Sequence, residues 1–119
     1  MRSILLTVVE TPTFLRQAAG IWTDEERAEL VDHMARNPES GVLIPDTGGV
    51  RKVRWSRQGG GKRGGARVIY FYHHPDAPLY LLLAYAKAQR EDMTQDEKRA
   101  VAALAIALKQ QHPSPRKTR

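Results

Sequence analysis

The sequence predicts an α+β domain in which helices pack against one face of a mostly antiparallel sheet. Three observations predict it. Apolar residues recur at helical spacing near both ends of the chain, they alternate with period two through its middle, and turn-forming residues divide that middle into consecutive strands. A length of 119 residues fits one core, so residues 1–111 are expected to form a single domain, with residues 112–119 as a tail.

Ser3 to Val9 is aliphatic and β-branched and ends at Thr11-Pro12, which reads as a first strand. Pro12 suits the first turn of a helix, and Phe14, Leu15 and Ala18 give Thr13 to Ile21 one apolar side, closed near Gly20. Thr23-Asp-Glu-Glu26 has capping-box spacing and leads into Leu30, Val31 and Met34, a second helix that must stop by Asn37-Pro38. Gly41 to Gly49 is a loop holding a short extended stretch, Val42 to Ile44. Val50, Lys52 and Arg54 then alternate with Arg51, Val53 and Trp55, a strand with one strongly basic face. Gln58 to Gly65 is a glycine-rich connection to a strand from Ala66 to His73, and Asp76-Ala-Pro78 turns into a third, more apolar strand, Leu79 to Lys87. On that last strand Leu81, Leu83, Tyr85 and Lys87 are expected to share a face. A second capping box, Thr94-Gln-Asp-Glu97, opens a helix through Val101, Leu104, Ala105 and Leu108. His112 to Arg119 is basic and broken by proline, which predicts disorder. The expected order is β-α-α-β-β-β-α.

The charge is concentrated. The chain carries a formal +6, yet Thr47 to Pro75 alone carries +7 with no Asp or Glu, leaving −1 for everything else. A basic window of that kind is the footprint of a polyanion-binding surface, with a solvated basic face as the plainer reading. The absence of cysteine removes thiolate metal sites and thiol nucleophiles and fits a reducing compartment. The N-terminal apolar run, Ile4 to Leu6 resumed by Val8 and Val9, is too short for a signal or a membrane span, so a soluble cytoplasmic protein is expected.

Several motifs fail on context. Gly59-Gly-Gly-Lys-Arg-Gly64 spells G-x-G-x-x-G but precedes a strand rather than a helix, and Arg63 stands where a Walker loop needs Ser or Thr. A mobile basic finger that approaches RNA is the better functional reading, against a plain flexible connection. His73, His74 and Asp76 lack metal-ligand spacing, so no metal or cofactor is expected. His33 and Trp22 read as packing residues, while Trp55, among basic neighbours, is balanced between packing and base stacking. The constellation that can carry chemistry is Lys52 and Arg54 on one strand, Arg67 on the next, and Tyr85 with Lys87 on the third. RNA cleavage by its own 2′-OH needs a base, charge stabilisation at the phosphorane and an acid for the leaving oxygen. A lysine crowded by cations supplies a base, Arg67 a bidentate clamp, Tyr85 stacking or orientation of a base, and Lys87 a cation for the leaving group. Arg51, Arg57, Lys62, Arg63 and Tyr72 surround this set as candidate contacts to RNA and ribosome.

On Thr47-Gly-Gly-Val-Arg-Lys-Val-Arg54, Gly61 to Tyr72 with its GKRGG loop and aromatic strand, Tyr80 to Lys87, and Asp92-Met-Thr, the chain resembles the RelE/ParE superfamily of type II toxins, most closely the HigB-like, RelE-type branch. The likeness in element order covers residues 3 to 109. It implies a ribosome-dependent mRNA endonuclease of the bacterial cytoplasm, acting without a metal on messenger and ribosomal RNA. It also implies restraint by a cognate antitoxin of helix-turn-helix type, through which alone the toxin would meet operator DNA. The resemblance carries the family's basic hairpin positions onto Lys52 and Arg54, its strand arginine onto Arg67 and its late Tyr-x-Lys onto Tyr85 and Lys87. Where many members place Arg or His directly after that lysine, Ala88 and Gln89 stand here. The competing readings are a ParE-like poison of a DNA topoisomerase that acts by binding, and a non-catalytic RNA-binding module.

Overall fold

The computed structural model of the chain describes residues 6–56 and 65–113. Its elements run β1 (Val8–Glu10), α1 (Pro12–Ala19), α2 (Asp24–Arg36), β2 (Val42–Leu43), β3 (Val50–Trp55), β4 (Ala66–Phe71), β5 (Leu79–Ala86) and α3 (Gln95–Gln111). They form an α+β domain on a five-stranded sheet of order β1-β5-β4-β3-β2, antiparallel throughout except for β1 against β5. The expected extended stretch at Val42 pairs with β3 and becomes the edge strand β2. The start of the expected first strand, Ser3 to Leu5, most of the glycine-rich connection and the tail from Ser114 onward lie outside the described residues.

The helices start where their caps dictate. Thr23 and Thr94 each accept a bond from the N–H three residues on, while Glu26 and Glu97 reach back to the cap N–H. Thr11 caps α1, with Pro12 in its first turn, and its hydroxyl also donates to the Leu81 carbonyl at 2.7 Å, fixing α1 on β5. β1 stops at Glu10, opposite Leu81, so the N–H of Ala84 has no strand partner; the side chain of Gln17 on α1 accepts it at 2.9 Å.

Contrary to the expected single covered face, the sheet is covered on both. Phe14 and Ala18 of α1 and Leu30 and Met34 of α2 pack with Val68, Tyr70, Leu79 and Leu81. Val101, Ala105 and Leu108 of α3 pack with Val50, Ile69, Phe71, Leu83 and Tyr85. The reason is visible in β4: Val68 and Tyr70 are buried on one side, Ile69 and Phe71 on the other, and a strand apolar on both faces needs cover on both.

The strict alternation expected along the last strand is also broken. Ile69 pairs with Leu83 but Tyr70 with Leu81, so Leu82 is an extra residue opposite that step. Leu81 therefore joins the α1/α2 core, while Leu83 and Tyr85 face α3.

Gly41 sits where backbone meets ring. A Cβ there would lie 2.8 Å from Tyr70 Cε1 and its hydroxyl oxygen and 2.9 Å from the Lys52 carbonyl, which cannot swing away. Gly41→Ala is expected to destabilise the fold by about 1–3 kcal/mol through overpacking, measured as a lower urea midpoint at unchanged m-value.

At the far end of α3, His112 Nε2 lies 2.8 Å from the Tyr80 hydroxyl, and His74 Nε2 lies 3.2 Å from the His112 carbonyl oxygen and 3.0 Å from that of Pro113. The first two residues of the expected tail are thus held against the sheet. Among the described residues no helix is long and apolar enough to cross a membrane.

Candidate active site

The antiparallel register assembles most of the predicted set. Arg54 pairs with Arg67, and Arg67 with Tyr85, giving a row that crosses three strands. One pleat along, Lys52 pairs with Ile69. All four side chains belong to the α3 face, because Val50 and Ile69, on the same parity, pack against α3. Lys87 follows the end of β5, its N–H donating to the Gly65 carbonyl at 3.1 Å, while residues 57–64, with Arg57, Lys62 and Arg63, lie outside the described residues.

Arg51 and Tyr72 are not part of this cluster. Arg51 alternates to the α1/α2 face, where Nη1 donates to the carbonyls of Gly41 at 2.8 Å and Glu39 at 3.3 Å, so it holds the loop before β2. Tyr72 packs on the α1/α2 core and borders a shallow cleft formed by Asn37, Pro38, Glu39 and Ser40. Trp55 is also on that side, its ring 4.9 Å from the ring of His33. Trp22 is buried in the core.

Two acids and a cation outside the predicted catalytic set, Asp92, Glu97 and Arg90, lie beside it. Asp92 Oδ1 accepts from the Tyr85 hydroxyl at 3.4 Å and from the Met93 N–H at 2.7 Å, and it lies 3.9 Å from Lys52 Nζ. Lys52 therefore meets a carboxylate rather than the purely cationic crowd that the sequence suggested. The Arg90 guanidinium sits 4.8 Å from the centre of the Tyr85 ring and donates to both oxygens of Glu97, at 2.7 and 3.1 Å. Arg90 thus stands, three residues past Lys87, as a cation beside the Tyr85 ring. The one signal available beforehand was the Asp92-Met-Thr run; nothing local marks Arg90.

Tyr85 is only 4% exposed, with its ring between α3 and Arg90. Its ring face is covered, so its hydroxyl edge is what the site can use. Burial, and then Asp92, push the phenol above its ordinary value, against Arg67 and Arg90, so Tyr85 stays protonated and is a donor. The Arg90 bond holds the Glu97 carboxyl below its usual value of 4.5. A carboxyl depressed by folding adds stability above its unfolded value, and that stability is lost as pH falls through the folded one. Glu97→Gln is accordingly expected to flatten the acid limb of a stability-against-pH curve below about pH 4.5, read by thermal melts across that range.

Lys52, Arg54 and Arg67 thus stand on one face of a small α+β domain beside a protonated tyrosine, a set of donors and cations whose chemistry suits phosphate oxygens. The chain belongs to the RelE toxin family: the family described as RelE toxin of the RelE / RelB toxin-antitoxin system matches residues 10–114. Its fold is similar to that of the E. coli toxin RelE, as a double arginine-to-alanine mutant in the free state, with a TM-score of 0.56 and 10% identity over 87% of this chain and 99% of that one. It is thus a toxin of the toxin-antitoxin type, with an antitoxin as its partner.

Proposed function

We propose that this toxin cleaves messenger RNA on the ribosome and so stops translation, as a HigB-like member of its family. The observation that carries the reading is the Arg54–Arg67–Tyr85 row with Lys52 and Asp92 beside it, on the face of the sheet where α3 begins. In the reaction, the 2′-OH of one nucleotide loses its proton to the Asp92 carboxylate while its oxygen attacks the adjacent phosphorus. Arg67, Arg54 and Lys52 balance the charge that develops on the non-bridging oxygens. The bond to the 5′-oxygen breaks, and that oxygen takes a proton from the Lys87 ammonium. The products are a 2′,3′-cyclic phosphate and a 5′-hydroxyl, with no redox change and no further reactant. An isolated site of this kind lacks the substrate geometry that the ribosome's decoding site imposes on messenger, which accounts for ribosome dependence.

The partner that restrains it is a cognate antitoxin of helix-turn-helix type, which alone would contact operator DNA. Induction in bacteria is expected to halt amino-acid incorporation within minutes while thymidine incorporation continues. DNA damage with filamentous cells and continued protein synthesis would instead mark a topoisomerase poison and overturn the reading.

A further inference from the structure

Beside the cationic row lies a cleft of about 330 Å³ between β2 and the start of α3, lined by Val42, Leu43, Ile44 and Pro45 on one side and by Lys52, Asp92, Met93, Gln95 and Lys98 on the other. Val42, which pairs with Lys52 and so shares its face of the sheet, is 72% exposed. A soluble edge strand is ordinarily blunted by charge, so bare aliphatic residues at this edge call for an occupant. The register says where that occupant comes from. Val42 pairs with Lys52, so the row Val42–Lys52–Ile69 runs from the sheet edge to the flank of Arg54 and Arg67. Lys52 and Asp92 line both the cleft and the candidate active site.

We propose that this cleft holds the base and phosphate of a nucleotide neighbouring the cleaved linkage, and that it contributes to which sequences are cut; this rests on the messenger-cleavage reading above. The chemistry fits a nucleotide. The aliphatic wall offers a face against which a base can lie, Gln95 offers both a donor and an acceptor to its edge, and Lys98 with Lys52 offers charge to the flanking phosphate. Lys98 is four residues past the Thr94 cap, at the cleft and apart from the reacting groups. An RNA strand crossing Arg54 and Arg67 needs no turn to enter, because Lys52 is shared.

Two substitutions test this without touching the catalytic set: Val42→Ser, which removes aliphatic surface at an exposed position on the Lys52 side of the sheet, and Lys98→Glu, which the first turns of a helix tolerate. Each full-length variant is compared with the parent on purified ribosomes carrying messengers that differ only in the nucleotides flanking the cut. A second arm uses a messenger with a 2′-deoxy sugar at the cut, which cannot be cleaved, and 4-thiouridine placed at successive flanking positions for photocrosslinking. The expected result is a rise in KM of roughly tenfold at near-constant kcat, a changed preference at one flanking nucleotide, and a crosslink from that position to residues 42–45. Cleavage of the same sites at parental KM by both variants, or crosslinks that never reach residues 42–45, would overturn it. Unchanged cleavage with weakened antitoxin binding would overturn it in favour of a protein-docking cleft. A parent that cuts no messenger would remove the reading on which it rests, a failure visible in the control before any variant is compared.

Discussion

Arg67→Ala is expected to abolish messenger cleavage and growth arrest while the protein still folds. Arg67 is the middle member of the Arg54–Arg67–Tyr85 row, flanked on both sides by groups of the site. A preorganised cation at a developing phosphorane charge contributes roughly 10²–10³-fold in rate, enough to remove killing at ordinary expression. Arg67→Lys should not restore activity, because a lysine offers a point charge where the planar fork offers two parallel donors. Growth curves on induction, paired with thermal melts of the purified proteins, check both halves. A folded Arg67→Ala protein that kills as the parent does would refute the assignment.

The largest effect on stability is expected from Tyr70→Ala, a loss of about 3–5 kcal/mol. Tyr70 is 0% exposed, and its hydroxyl accepts from the Gly41 N–H and donates to the Pro38 carbonyl, each at 2.8 Å. Burial raises its phenol above the ordinary value, so the donor proton stays in place. One side chain therefore fills the α1/α2 core and fastens the loop that leads into β2. Against a typical total of about 5–15 kcal/mol, its removal leaves a small domain close to unfolding. Tyr70→Phe separates the two contributions: it keeps the ring, strands the Gly41 N–H, and should cost about 1–3 kcal/mol. Urea unfolding of the three proteins gives both numbers, and equal midpoints for parent and Tyr70→Phe would show that the hydroxyl bonds contribute nothing.

The sequence carried the site further than its periphery. Period-two alternation in Val50–Trp55 put Lys52 and Arg54 on one face and Arg51 with Trp55 on the other, which is the division found. By the same alternation Arg51, expected among the RNA contacts around this set, stands on the opposite face. Capping boxes at Thr23 and Thr94 located both longer helices, since side-chain bonds to the first turn are a local matter. What stayed hidden was non-local. Three consecutive leucines, Leu81 to Leu83, give no sign of which is the bulge, because the extra residue is defined by its partner strand. The stripe of α3 announces a buried side but not which face of the sheet it covers. Asp92 and Arg90 gain their roles from a turn that brings them back over Tyr85, and no spacing rule connects them to it.

If this toxin cuts messenger on the ribosome with the Arg67 cluster, each cut leaves a new 5′ end on the messenger. Primer extension on a defined messenger in a bacterial cell-free translation reaction, with and without ribosomes, tests it most directly. New 5′ ends that appear with the parent, require ribosomes and vanish with Arg67→Ala are the predicted result. Intact messenger with a folded parent protein, or ends that form equally without ribosomes or without Arg67, would contradict it.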